Sequence, residues 1–90
     1  MINKPFHPGV FLQELLGEMS ITTYRLAKDT FMPAIRVGDI IKEGLSITPD
    51  TALRLAKYIN TTPDYWVSLQ SSYDLSKCQP KHIEDIQAIA

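Results

Sequence analysis

The chain has 90 residues, a hydrophobic fraction of 44% and a formal net charge of −1. This length predicts one compact domain with a single core, and the balanced charge excludes nucleic-acid binding through overall positive charge, so any such binding needs a local patch. No apolar run approaches the roughly 20 residues of a membrane span, and none follows Lys4 as a signal peptide requires. We therefore expect a cytosolic protein without a membrane partner.

The chain lacks the residue patterns of enzymes and metal sites. Cys78 is the only cysteine, so no internal disulfide can form, and a surface or interface thiol is expected. The two histidines, His7 and His82, match no ligand spacing. No nucleophile–base pair or Gly-rich phosphate loop is present, and the carboxylates are scattered along the chain. We expect no enzymatic activity, metal or cofactor.

The first half of the chain predicts three short helices. Pro8 can occupy the first position of a helix, and apolar residues then recur at helical spacing at Leu12, Leu15, Leu16 and Met19. After a break at Ser20 to Thr22, a second helix runs from about Thr23 to Thr30. Pro33 opens a third helix that reaches about Lys42, with Val37, Ile40 and Ile41 on its inner face. Gly44 is expected to end it in the left-handed conformation.

A Thr-Pro-Asp motif that occurs twice predicts two further helices, which begin at Pro49 and Pro63. Threonine accepts a hydrogen bond from a free amide of the first turn, proline fits the next position, and aspartate suits the positive end of the helix dipole. The last helix carries large apolar area, at Tyr65, Trp66, Leu69 and Tyr73. The pair of helices is predicted to form the core scaffold.

The C-terminal tail is predicted to be a short helix that needs a surface to pack on. Ile83, Ile86 and Ile89 recur every third residue, and a helix of ten residues is marginal alone. We assign residues 1–79 to an all-α, five-helix domain and residues 80–90 to this tail. The surface that covers the tail is either its own domain or a second subunit.

The second and third helices fit a helix-turn-helix motif, whose second helix enters the DNA major groove with its N-terminal part foremost. The outward positions of the third helix are Ala34, Ile35, Gly38, Asp39 and Lys42, with Arg36 on the flank. Arg36 alone can reach a base edge and donate two hydrogen bonds, so it is the predicted reader of a guanine. The alternative for Arg36 is a pair with Asp39, three residues along the helix.

The other candidate DNA contacts each have an ordinary structural alternative. Thr23 can hold a phosphate at the helix start or serve as a plain cap. Three cations, Arg25, Lys28 and Lys42, contact phosphates or remain solvated. Ile35 touches a thymine methyl group or another protein, and Asp39 could accept a hydrogen bond from a cytosine amino group. Gly38 accommodates close packing, the interpretation we favour, or allows close approach of DNA.

Seven segments between residues 7 and 75 resemble the HigA group of antitoxins. They are His7-Pro8-Gly9, Tyr24-Arg25-Leu26-Ala27-Lys28, Ile47-Thr48, Thr51-Ala52-Leu53-Arg54-Leu55-Ala56, Thr62-Pro63-Asp64-Tyr65-Trp66, Leu69-Gln70 and Tyr73-Asp74-Leu75. The chain departs from the family pattern at three places, with Phe31 for a turn glycine, Gly38 for a common asparagine, and Lys42-Glu43 for Asn-Gly.

The resemblance implies that residues 1–79 form a phage-repressor-like helix-turn-helix domain. It further implies a bacterial, cytoplasmic homodimer that represses its own operon by binding operator DNA. It also implies a RelE-like, HigB-type toxin, an mRNA-cutting nuclease, as a partner. We expect the toxin on the outer face of the first helix, at Gln13 and Glu14, and on the segment before it. The expected dimer contacts are Trp66, Tyr73, Ile83 and Ile86. The alternative is a protein-binding module or general transcription regulator of the same fold without a toxin partner.

Overall fold

The computed structural model describes residues 5–90, which form five α-helices and contain no strand. The helices are α1 (Pro8–Glu18), α2 (Thr23–Thr30), α3 (Ala34–Ile41), α4 (Pro49–Ile59) and α5 (Pro63–Lys77). The predicted all-α, five-helix fold is confirmed. Within the described range, every helix falls short of the length and apolar character that a bilayer crossing requires.

Three threonines fix the starts of α2, α4 and α5. Thr22, Thr48 and Thr62 precede the three helices, and each hydroxyl oxygen accepts a hydrogen bond from the amide three residues later, at 3.1, 3.3 and 3.3 Å. The predicted starts at Pro49 and Pro63 are confirmed. In α2 the cap is Thr22 and Thr23 is the first helical residue, so the cap alternative for Thr23 is wrong.

The start of α1 is held by a histidine. His7 is only 3% exposed, and its Nδ1 accepts a hydrogen bond from the amide of Gly9 at 2.9 Å. The imidazole packs edge-on against the ring of Tyr73, with 5.1 Å between the ring centroids. A Cβ added to Gly9 would overlap the carbonyl oxygen of Ile40 and lie 2.9 Å from its carbonyl carbon. The backbones of α1 and α3 are therefore in direct contact.

Trp66 lies at the centre of the core. Its side chain is 0% exposed, its Nε1 donates to Oγ1 of Thr61 at 2.8 Å, and the rings of Phe11 and Tyr65 pack on it. The core cluster also includes Leu12, Leu16, Leu26, Ala27, Met32, Val37, Ile40, Ile47, Ala52, Leu55 and Ala56. The assignment of Trp66 to a dimer interface is wrong, because the protomer itself already buries the whole indole.

The predicted ends of α3 need correction. Pro33 precedes the helix as its cap, and Ala34 is the first helical residue. The left-handed residue after α3 is Glu43, with φ of 66°, and Gly44 has no positive φ. The chain must reverse at Glu43, because the amides of Gly44 and Leu45 both donate back to the carbonyl oxygen of Asp39, at 2.8 and 3.2 Å.

The tail forms less helix than predicted. Only one 3-10 turn, Ile83–Asp85, follows α5, and the side chains of Ile83, Ile86 and Ile89 are exposed. A ten-residue segment with no packed surface cannot offset the cost of helix nucleation. The division of the chain at residue 80 remains a prediction.

Candidate nucleic-acid interface

Helices α2 and α3 are joined by a tight turn and packed through a shared apolar face. Phe31 ends α2 in the left-handed conformation, with φ of 60°, and the amide of Met32 donates to the carbonyl oxygen of Ala27 at 3.0 Å. Val37 and Ile40 on α3 are buried in the same core as Leu26 and Ala27 on α2. This arrangement leaves the opposite side of α3 facing outward.

The outward side of α3 is mostly apolar and uncovered. Ala34 and Lys42 are exposed, the side chain of Ile35 is 74% exposed, and Gly38 and Asp39 are half-buried. A Cβ added to Gly38 would meet no described atom within 4 Å. The favoured interpretation of Gly38 as a packing accommodation is therefore wrong, and its role in close approach to DNA stays a prediction.

Arg36 is held at the junction between α3 and α4. Its Nη1 lies 3.0 Å from Oδ2 of Asp50, and Nε of Arg54 lies 3.0 Å from the same oxygen. The guanidinium groups of Arg54 and then Arg36 lower the pKa of Asp50. Arg54 also donates to the carbonyl oxygen of Thr30 at 2.9 Å, which connects α4 to the end of α2. The predicted pair between Arg36 and Asp39 is wrong, because the partner comes from the next helix.

The cations of α2 lie on its exposed side. Lys28 is exposed, and Nε of Arg25 lies 3.3 Å from Oδ2 of Asp29. The hydroxyl of Tyr58 donates to the same oxygen at 2.5 Å. That hydrogen bond and then Arg25 lower the pKa of Asp29, and the contact with Asp29 raises the pKa of Tyr58. Thr23 is also exposed at the first position of α2.

Two exposed aromatic residues flank these candidates and were not predicted as site residues. Tyr24 follows Thr23 in the first turn of α2, and Phe31 lies in the turn before α3; both side chains are exposed. Sequence patterns gave no reason to place either ring outside the core. Their exposure extends the apolar character of α3 along the motif.

The residues predicted for other partners lie elsewhere on the molecule. Gln13 and Glu14 are exposed on α1. Of the preceding segment, which completes the expected toxin contact, residues 1–4 lie outside the described residues. Tyr73 is half-buried against His7, with Nζ of Lys77 5.7 Å from its ring centroid.

Comparison with known proteins connects the chain to antitoxins. No family model matches the sequence. The fold is similar to an addiction module antidote protein of a HigA family from Coxiella burnetii, with 42% identity, a TM-score of 0.84, and coverage of 93% of this chain and 92% of that one. It is also similar to the Pseudomonas aeruginosa antitoxin HigA, solved with the higBA promoter, with 33% identity, a TM-score of 0.86, and coverage of 96% and 99%.

A curated relative extends the comparison. Virulence-associated protein I of Dichelobacter nodosus is 36% identical over 74 residues, which are 81% of this chain and 68% of that protein. The match to this relative leaves about a third of its length without a counterpart here.

Proposed function

The chain belongs to the HigA family of helix-turn-helix antitoxins, and we propose that it represses its own operon by binding operator DNA as a homodimer in the bacterial cytoplasm. We propose further that it neutralises a RelE-like, HigB-type toxin that cuts mRNA. The observation that carries the DNA-binding part is the uncovered outer side of α3, with cations on its flanks. It is also supported by the promoter complex of the Pseudomonas antitoxin.

The proposed DNA contacts fall into two groups. Thr23, Arg25, Lys28 and Lys42 are exposed and supply phosphate contacts, which fix the register on the duplex. Ala34, Ile35, Gly38 and Asp39 face the base edges, with Arg36 beside them. Asp50 already accepts from Nη1 of Arg36, so a base contact by Arg36 would compete with this ion pair. A gel-shift assay with DNA from upstream of the gene tests this proposal directly.

Lys28→Ala is expected to weaken binding to all DNA sequences alike. Removing one phosphate contact lowers the slope of log affinity against log salt by about 1. Fluorescence anisotropy with the operator and with unrelated DNA, at several salt concentrations, measures both effects. Lys81→Ala, an exposed lysine in the tail, serves as the control and should leave the slope unchanged. A loss confined to the operator sequence would show that Lys28 contacts a base.

A second copy of the chain is the proposed partner of two regions, the side of α5 at Tyr73 and the exposed apolar residues of the tail, Ile83 and Ile86. The tail, which follows α5, exposes apolar side chains, and Tyr73 on α5 is only half-buried. A two-fold dimer would also set two α3 helices about 34 Å apart, one turn of DNA. Light scattering should give twice the chain mass of 10.2 kDa. Serine at both Ile83 and Ile86 should shift the mass toward one chain, while a natural chain that is monomeric with and without DNA would refute the dimer.

The outer face of α1 is the proposed toxin contact. An mRNA-cutting nuclease must present cations to the RNA backbone, and α1 exposes the carboxylates of Glu14 and Glu18 beside Gln13. Replacing Gln13 and Glu14 by alanine and lysine should greatly reduce co-purification with the toxin encoded next to the gene. Lys28→Ala should leave it unchanged. Full retention of the toxin by the double variant would place the contact elsewhere.

The alternative function is a regulator or protein-binding module of the same fold without a toxin partner. One observation favours it: the outer side of α3 offers few free hydrogen-bond donors. Arg36 is paired with Asp50, and the side chains of Ala34, Ile35 and Gly38 have no polar group. A chain that shifts no upstream DNA and captures no neighbouring toxin would support a protein-binding module.

A further inference from the structure

We propose that α3 selects its operator through the 5-methyl group of thymine, with Ile35 as the specificity-determining side chain. This inference rests on the operator binding proposed above and states which base feature the helix reads. It follows from what the outer side of α3 offers and from what it lacks.

Hydrogen-bond donors are missing at the end of α3 that leads into the groove. In a helix-turn-helix the N-terminal part of this helix approaches the bases first. Ala34, Ile35 and Gly38 carry no polar side-chain group, and Asp39 can only accept. Lys42 follows the last turn of α3, about 12 Å along the axis from Ala34. The side chains at the leading end therefore cannot form the paired hydrogen bonds that identify guanine or adenine.

Arg36 is the side chain near this end that could form such a bond, but it already forms an ion pair with Asp50. Its guanidinium lies 3.0 Å from the carboxylate of Asp50, which Arg54 also contacts at 3.0 Å. Reading a guanine would compete with this contact between α3 and the start of α4. It would also leave the carboxylate of Asp50 with one guanidinium fewer beside it. The geometry favours a bracing role for Arg36.

Ile35 has the properties that methyl recognition requires. It is the second residue of α3, its side chain is 74% exposed, and no described residue covers it. The thymine methyl is the only apolar group that the major-groove edges present to such a side chain. Gly38 lies one turn further along the same side and leaves open space around its Cα. Ile35 therefore projects beside a recess, which lets a base edge come close to the helix.

Deoxyuridine substitution isolates the methyl group, because uracil differs from thymine only by its absence. The operator is first located by footprinting with the natural chain. Each thymine in the protected half-site is then replaced by deoxyuridine. We expect one position per half-site at which the affinity falls about fourfold, the value of one buried methyl-sized group, while the other positions have little effect.

The Ile35 and Arg36 variants assign this effect to a side chain. Ile35→Ala should bind the thymine operator more weakly and lose its sensitivity to deoxyuridine, whereas Ile35→Val should retain part of both. Arg36→Ala removes the alternative reader and should keep the sensitivity to deoxyuridine, whatever its effect on overall affinity. If the natural chain binds the operator with the same affinity at every deoxyuridine position, methyl recognition by Ile35 is refuted and the proposed operator binding stands. Unchanged operator affinity in Ile35→Ala overturns it too. Absence of binding to any upstream DNA overturns the proposed function as well.

Discussion

Gly9→Ala is expected to destabilise the protein by about 3 kcal/mol, the upper end of the usual cost of overpacking. The added Cβ would overlap the carbonyl oxygen of Ile40 and approach Nδ1 of His7 to 3.1 Å. A backbone carbonyl cannot swing aside as a side chain can, so α1 must move away from α3. The same movement would strain the hydrogen bond between His7 and the amide of residue 9. Urea denaturation measures the change in unfolding free energy.

Gly17→Ala in the same helix is the control for Gly9→Ala. A Cβ at Gly17 would meet no described atom within 4 Å, so alanine should stabilise the helix by about 0.5–1 kcal/mol. The two substitutions are chemically identical and should have opposite signs. Equal effects would show that α1 and α3 do not approach each other as closely as the structure indicates.

Trp66→Ala is expected to cost about 3–5 kcal/mol of unfolding free energy. The indole is 0% exposed, and Phe11 and Tyr65 pack against it. Truncation would also leave the hydroxyl of Thr61 without its indole donor. Because domains of this kind are stable by only about 5–15 kcal/mol, much of the variant should unfold on mild heating, which circular dichroism follows.

Leu53→Ala is the control for Trp66→Ala, because it tests whether the loss of stability comes from burial or only from the loss of a large apolar side chain. Leu53 is also a large apolar side chain, but it is 60% exposed, so its loss should change stability by no more than about 0.5 kcal/mol. If Trp66→Ala instead cost no more stability than Leu53→Ala, the indole would not be buried in the protomer as the structure indicates.

The features that sequence patterns predicted well are those that depend on near neighbours. The Thr-Pro-Asp starts of α4 and α5 need only a hydroxyl, a proline and an amide three residues later. The inner face of α3 follows from the spacing of Val37 and Ile40. Such interactions have the same geometry in any fold, so the sequence alone determines them.

The features that sequence patterns missed depend on residues from distant segments. The pairing of Arg36 with Asp39 was inferred from helix spacing, but Asp50, 14 residues away, provides a carboxylate at 3.0 Å. Trp66 was recognisable as a large apolar residue, yet only the packing of α1 on α5 shows which surface covers it. His7 lies outside the set of usual capping residues, so its role was not expected.

The contact between Gly9 and Ile40 joins the helix that we propose for toxin binding, α1, to the helix that we propose for operator binding, α3. The backbones of α1 and α3 touch at Gly9 and Ile40, so a ligand that moved α1 toward α3 would press directly on the α3 backbone. If a toxin bound on α1 alters the affinity for operator by some factor, thermodynamic reciprocity requires that operator alters the affinity for toxin by the same factor. If both proposed partners bind where we place them, the contact at the start of α1 is the route by which occupancy of one surface would alter the affinity of the other.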